Sequence, residues 1–142
     1  MERNYVEAEI EEIAQEVLGL LAASDSKATV LALEGDLGAG KTTLTKTLAR
    51  ALGVTETVVS PTFVIAKFYQ PTKQGFEHLV HIDAYRIEDL NELGPIGWEE
   101  ILQQPKTLVI VEWPEKIAGA LPAQKQHLLI THNGDQRTIK KI

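Results

Sequence analysis

A glycine-rich segment that ends in lysine and threonine is the part of this chain best suited to bind phosphate. Residues 35–42 fit G-x-x-x-x-G-K-[ST], the pattern of a phosphate-binding P-loop. Its glycines let the backbone curl so that N–H groups point at an anion, and the following helix adds partial positive charge. Lys41 can reach the outer phosphates of a nucleotide, and the Thr42 hydroxyl can bind Mg²⁺. The predicted nucleotide-binding residues are Gly35, Asp36, Leu37, Gly38, Ala39, Gly40, Lys41 and Thr42.

Two acidic residues at the ends of apolar runs could complete a site for nucleotide hydrolysis. Asp83 follows the run 78–82, and Glu112 follows the more uniformly apolar run 108–111. Ligands of open α/β sheets bind at the carboxyl ends of the strands, so both acids should lie near the glycine loop. Either acid could bind Mg²⁺ directly, bind it through water, or orient the attacking water. The predicted catalytic residues are Lys41, Asp83 and Glu112, and the predicted metal ligands are Thr42, Asp83 and Glu112.

Three further features of the sequence are candidates for the same site. One is a segment between the glycine loop and Asp83, and the others are residues shortly after Asp83 and Glu112. A segment about twenty residues past the P-loop has the spacing of a GTPase switch. It consists of Ser60, Pro61, Thr62 and Phe63. Thr62 could sense a γ-phosphate through Mg²⁺, or the segment could be a plain proline turn. Arg86 could neutralise transition-state charge, hold Asp83, or be an ordinary surface arginine. Trp113 could stack on a base, contact a partner, or fill a gap in the core.

The histidines do not predict a metal site. His78 and His81 are three residues apart on a predicted strand, so their side chains should point to opposite faces. His127 and His132 are five apart with a turn nearby, and the chain has no cysteine.

Secondary-structure patterns place these residues in an α/β fold. An apolar strand at 29–33 enters the glycine loop, and a helix at 42–52 leaves it and ends at Gly53. The continuous apolar run 107–111 is typical of a strand buried on both faces. Further helices are predicted at 7–23, 87–93 and 98–102 and after Pro114, and further strands at 57–59, 63–69, 76–82, 126–131 and 137–142. Hairpin turns at 71–75 and 133–134 predict antiparallel edges around a parallel core, and hence a mixed sheet.

Composition narrows the class of protein. A length of 142 residues with 44% hydrophobic residues predicts one domain, spanning 1–142. We expect a cytoplasmic protein, because no apolar run approaches about 20 residues, no signal peptide is apparent, and the absence of cysteine is compatible with a reducing compartment. The net charge of −6 disfavours broad nucleic-acid binding, so we expect a partner to carry the basic surface for any nucleic acid, although charge alone leaves room for a small basic patch on this chain.

Four motifs in this order resemble the TsaE (YjeE) family, the small ATPase of bacterial tRNA threonylcarbamoyladenosine biosynthesis. The motifs are residues 35–43, 60–63, 81–86 and 112–114. The likeness extends over nearly the whole chain, as far as the last hairpin with Arg137. Ala84 is a small departure, since a bulkier apolar residue is commoner in the family, and we expect no effect on chemistry.

The resemblance implies a P-loop NTPase-like three-layer sandwich, in which antiparallel strands flank a parallel core. It implies Mg²⁺-dependent hydrolysis of ATP to ADP that resets a partner pair, TsaB and TsaD, between turnovers. That pair transfers threonylcarbamoyl to adenosine 37 of tRNA. This chain would then meet tRNA only through the complex, with no membrane and no small-molecule acceptor of its own.

The resemblance also assigns roles to individual residues. Lys41 and Thr42 match phosphate and Mg²⁺ ligands, and Thr43 continues the phosphate-binding loop. The segment 60–63 matches a switch-like motif, and Asp83 matches a functional acid. Glu112 and Trp113 match the Glu-Trp pair of the family, with Glu112 as the metal-linked acid. Arg86 joins the segment 60–63 and Trp113 as a switch or partner residue.

Three other functions remain open on sequence grounds. A nucleotide sensor without useful turnover would need the same phosphate site. A GTPase is disfavoured, because residues 83–86 lack the glycine of D-x-x-G and no N-K-x-D motif is present. A small-molecule kinase would need a lid or acceptor domain, and no segment of the chain is suited to build one.

Overall fold

Seven strands form one mixed sheet in the computed structural model, which describes residues 1–58 and 65–142. The strands are β1 (Glu2–Tyr5), β2 (Thr29–Glu34), β3 (Ala66–Tyr69), β4 (His78–Asp83), β5 (Thr107–Glu112), β6 (Gln126–Asn133) and β7 (Gln136–Lys141). Their order across the sheet is β1-β7-β6-β2-β5-β4-β3. The four central strands, β6, β2, β5 and β4, are parallel, whereas β1, β7 and β3 pair antiparallel. The predicted α/β class and mixed sheet are confirmed.

The central strand β5 explains why the sheet is covered on both sides. All six of its residues are buried. Leu108 and Ile110 belong to one apolar cluster, and Val109 and Val111 belong to the other. Each such side chain contributes about 1.5–3 kcal/mol through burial, so a continuous apolar strand is stable only between two covering layers.

Helices supply those two layers. The helices α1 (Ile10–Leu18) and α2 (Lys41–Ala51) pack on the first face, and α3 (Trp98–Gln103) packs on the second. Two 3₁₀ segments, Leu90–Ile96 and Pro114–Ala120, lie beside α3. The result is a three-layer sandwich in which α2 begins directly after the glycine loop.

The first helix is shorter than its periodicity predicts. A 3₁₀ turn at Glu7–Glu9 precedes α1, which is capped at Gly19 and does not continue to residue 23. Glycine is a poor helix former, costing about 1 kcal/mol relative to alanine. Leu21 is nevertheless buried beyond the end of the helix, so the apolar spacing reflects burial rather than helical structure.

Several other element boundaries differ from the sequence predictions. The strand β1 was not predicted, because only Tyr5 of its four residues is buried and its other side chains are polar. The helix predicted at 87–93 is the 3₁₀ segment Leu90–Ile96, which contains Pro95. Thr57 and Val58 are in no strand, so the strand predicted at 57–59 is wrong at these positions. Val58 is buried by packing against the first apolar cluster.

Both predicted hairpins are present. β3 pairs antiparallel with β4, and β6 pairs antiparallel with β7 around the Asn133-Gly134 turn. Gly134 has a φ of 65°, a left-handed conformation that glycine adopts without a steric penalty. Within residues 1–58 and 65–142, no helix combines the length and the apolar character needed to cross a membrane.

Candidate nucleotide site

Three parallel strands end at one edge of the sheet and bring the predicted residues there. β2 leads into the glycine loop, Glu112 ends β5, and Asp83 ends β4. The register pairs Leu33 with Glu112 and Glu112 with Asp83. Because β5 lies between β2 and β4, Glu112 is the acid on the strand next to the loop, and Asp83 is one strand farther away.

The glycine loop packs tightly against the neighbouring strand β6. A Cβ atom at Gly35 would lie 2.5 Å from the carbonyl oxygen of Ile130, a backbone atom that cannot rotate away. Gly40 has a φ of 106° at the start of α2, a conformation that requires glycine. At the tip of the loop, Leu37 leaves 73% of its surface exposed. The base of the loop is therefore fixed by backbone contact, while its tip faces solvent.

Replacing Gly35 by alanine is expected to displace the loop from β6. The added methyl group should lower the free energy of unfolding by about 1–3 kcal/mol, as overpacking does in protein cores. It should also weaken ADP binding about tenfold or more, since small displacements of a binding group have large effects. Urea unfolding and calorimetric titration with ADP measure the two effects.

Gly119→Ala is the matched control for this substitution, because a Cβ at Gly119 would meet only the Cδ1 atom of Leu90, at an ordinary contact distance of 3.4 Å. It should leave both quantities close to those of the wild type. Equal unfolding midpoints for the Gly35 variant and the wild type would show that the close contact with Ile130 is unimportant.

The ammonium of Lys41 is held inside the loop. Its Nζ donates to the carbonyl oxygens of Gly35 and Asp36, at 3.0 Å from the latter, and lies 4.2 Å from the ring centroid of Trp113. Burial lowers the pKa of Lys41, and the surrounding carboxylates, led by Glu112, oppose this shift. A phosphate entering the loop would therefore meet a poorly solvated cation.

Glu112 connects the glycine loop to β4 through both of its carboxylate oxygens. The Thr42 hydroxyl donates to Oε1 at 2.9 Å, and Nε2 of His81 lies 2.5 Å from Oε2. Glu112 is 2% exposed and His81 is fully buried. The role of His81 was missed in the sequence. The parallel register of β4 and β5 indicates this contact. Asp83 pairs with Glu112, and His81, two residues earlier on β4, points to the same face of the sheet.

Asp83, Arg86 and Trp113 surround this core of the site. Asp83 is half-buried, and one of its oxygens accepts the backbone N–H of Tyr85 at 3.0 Å. Arg86 is exposed. The indole of Trp113 packs on Lys41 and, at 4.8 Å between ring centroids, on the ring of Tyr85. Trp113 also packs against the second apolar cluster, and its roles in base stacking or partner contact stay predictions.

The backbone of Trp113 has an unusual conformation that places this side chain. Its φ of 59° is left-handed, which is uncommon for a bulky residue and costs free energy. The following Pro114 disfavours the ordinary helical region for Trp113 and opens a 3₁₀ helix. Strain of this kind at a candidate site is typical of a residue whose position matters for function.

Arg137 is a second residue beside the glycine loop that the sequence motifs do not predict as a site residue. Its Nε lies 3.1 Å from the position of a Cβ on Gly40, so the guanidinium packs against the glycine loop. This Nε is buried and has no hydrogen-bond partner among the described residues. The parallel pairing of β6 with β2, which is not evident from local sequence, brings the β6–β7 hairpin and its arginine there. The predicted switch residues Ser60, Pro61, Thr62 and Phe63 lie outside the described residues.

The oxygen donors at this edge suit Mg²⁺ better than a transition metal. Across the described ranges, no three His, Asp or Glu side chains come together in a way that could hold a metal ion. Mg²⁺ usually needs only one or two protein oxygens, because water and substrate phosphates complete its coordination. The Thr42 hydroxyl and the Glu112 carboxylate, in contact with each other beside the loop, fit that requirement.

A parallel core in which a strand, a glycine loop and a helix follow one another defines a P-loop NTPase-like fold. The crystal structure of Bacillus subtilis YdiB is similar, with a TM-score of 0.76 and 31% identity over 99% of this chain and 83% of that one. The family model for the threonylcarbamoyl adenosine biosynthesis protein TsaE matches residues 5–141. The chain belongs to the TsaE family.

Curated relatives agree with this assignment. The tRNA threonylcarbamoyladenosine biosynthesis protein TsaE of Bacillus subtilis is 43% identical over 116 residues, which cover 82% of this chain and 70% of that protein. The protein of the same name from Mycobacterium tuberculosis strain H37Rv is 39% identical over 105 residues, or 70% of this chain. The matched region spans only 60% of the mycobacterial protein.

Proposed function

We propose that this chain is a cytoplasmic, Mg²⁺-dependent ATPase that supports the transfer of threonylcarbamoyl to adenosine 37 of tRNA. In this proposal it binds a TsaB–TsaD complex and resets it between turnovers by hydrolysing ATP to ADP. The observation that carries the proposal is the hydrogen bond from Thr42 to Glu112 at 2.9 Å, beside the buried ammonium of Lys41. This arrangement brings together a cation that can bind phosphate, a hydroxyl group and a carboxylate.

Each residue has a role that follows from its position. The N–H groups of the loop and Lys41 would bind the β- and γ-phosphates. Thr42 and Glu112 would hold Mg²⁺, which neutralises charge on the phosphate oxygens when it is bound. Asp83, at the end of the next strand, would orient the attacking water. Arg137, packed against Gly40, would add positive charge beside the loop.

Exposed apolar side chains around the site support a partner that covers it. Leu37 is 73% exposed and Tyr85 is 47% exposed, and both lie next to residues of the candidate site. Exposed apolar groups beside a polar site are typical of contact surfaces. We place the contact with TsaB–TsaD on this edge of the sheet, and it includes Arg86 and Trp113. In this proposal tRNA is bound by the partner complex and not by this chain.

Reconstitution of tRNA modification tests the proposal. Purified TsaB and TsaD, tRNA, threonylcarbamoyl donor and ATP are incubated with and without this chain, and both modified tRNA and released phosphate are measured. We expect one round of modification without the chain and many rounds with it, accompanied by partner-stimulated ATP hydrolysis. An intact γ-phosphate after long incubation with the full set would instead identify a nucleotide sensor, and multiple rounds without the chain would refute the proposal.

A further inference from the structure

His81 is a fully buried histidine next to the candidate site, and it has no part in the function proposed above. It lies on β4, two residues before Asp83. Its Nε2 is 2.5 Å from Oε2 of Glu112. Burying a polar ring inside a sheet costs free energy unless its nitrogens find partners, so this contact needs an explanation.

The surroundings of the ring determine which nitrogen carries the hydrogen. Nδ1 is buried and has no hydrogen-bond partner within residues 1–58 and 65–142. A carboxylate accepts hydrogen bonds, so Nε2 is assigned as the donor to Glu112. A hydrogen bond to a charged acceptor is stronger than one between neutral groups. His81 therefore holds one oxygen of Glu112 in a fixed direction.

Fixing that oxygen also fixes the other, because the two oxygens belong to one rigid carboxylate. Oε1 is the atom that accepts the hydroxyl of Thr42. Without His81, Oε2 would be buried without this donor, which is unfavourable. The carboxylate would then be drawn towards the neighbouring ammonium of Lys41, whose pKa already reflects the charge of Glu112.

We infer that His81 is a positioning residue, which keeps Glu112 in the orientation that lets it hold Mg²⁺ together with Thr42. The inference rests on the proposed function, since it concerns the same site. It depends on a hydrogen bond and not on a change of protonation. Hydrogen-bond partners that orient metal ligands typically account for about 10–100-fold in metal affinity.

The test is the Mg²⁺ concentration that half-saturates ADP binding, measured for the wild type, His81→Leu and His81→Gln. Leucine removes the donor, whereas glutamine can place an N–H close to the position of Nε2. We expect the leucine variant to need about tenfold more Mg²⁺ or higher, and the glutamine variant to recover most of the loss. His78→Leu is the matched control, because His78 is half-buried on the same strand and should leave the Mg²⁺ requirement unchanged.

A purely structural role for His81 would give a different result. In that case His81→Leu would lower the unfolding temperature but leave the Mg²⁺ requirement at the wild-type value, and the inference would be wrong. The proposed function fails separately, if the wild type binds no ADP at any Mg²⁺ concentration.

Nitrogen-15 NMR of the histidine ring provides a readout that needs neither ADP nor a folded leucine variant. We expect His81 in the wild type to be protonated at Nε2, with a slowly exchanging proton whose signal is lost or shifted in Glu112→Gln. Protonation at Nδ1 alone would overturn the inference.

Discussion

Lys41→Ala is expected to lower partner-stimulated ATP hydrolysis at least about 100-fold, which corresponds to about 2.7 kcal/mol of lost transition-state stabilisation. The ammonium lies inside the glycine loop, where it is 5% exposed and bonded to the carbonyls of Gly35 and Asp36. In a poorly solvated site the interaction of this charge with a phosphate is stronger than it would be in water. Phosphate release in the presence of TsaB and TsaD measures the effect.

The matched control is Lys46→Ala, which removes an exposed lysine from the same helix. It should hydrolyse ATP at the wild-type rate, which separates loss of the site from a general loss of positive charge. The same two variants apply to tRNA modification, where only the Lys41 variant should stop after the first round. If the Lys41 variant sustained many rounds of modification, hydrolysis in this loop would have no part in the process.

Glu112→Gln is expected to reduce the rate of ATP hydrolysis by about 100–1,000-fold, while ADP binding at saturating Mg²⁺ changes by less than about tenfold. The substitution keeps the shape of the side chain and removes its charge. The glutamine oxygen can still accept from Thr42, so the loop should stay in place. The new amide nitrogen would face Nε2 of His81, another donor, and this mismatch should cost about 1–3 kcal/mol of stability.

Glu115→Gln is the control for this variant. Glu115 is exposed and contributes to the negative charge around Lys41, so its replacement removes one charge without touching Thr42 or His81. Its hydrolysis rate should stay within about twofold of the wild type, as is usual for surface substitutions. Equal rates for both glutamine variants would show that Glu112 acts only through overall charge.

The buried strands could be predicted from the sequence because burial determines their composition. β5 must be apolar on both faces, and β2 enters a loop with a distinctive glycine pattern, so local sequence was sufficient for both. β1 could not be found in this way. Three of its four residues are charged or amide side chains, and its strand character depends on hydrogen bonds to β7, a partner from the other end of the chain.

The candidate site shows the same division between local and long-range information. Lys41 and Thr42 follow from a continuous motif, and Glu112 and Asp83 follow from their places after apolar runs. His81 and Arg137 come to the site instead through the parallel pairing of β4 with β5 and of β6 with β2. A histidine inside a strand carries no local signal of an acid on the next strand, so its contact with Glu112 required the register of the sheet.

The pairing of β1 with β7 also constrains the order in which the protein can fold during its synthesis. Among the seven strands of this sheet, β1 is made first and β7 last, yet Tyr5 is buried in the strand that pairs with β7, opposite Arg137. Until β7 is made, the glycine loop lacks the arginine that packs on Gly40. A nascent chain of this kind keeps an open sheet edge, and such edges favour aggregation until they are covered. Chaperone binding should therefore concentrate on chains that have completed β6 but not β7.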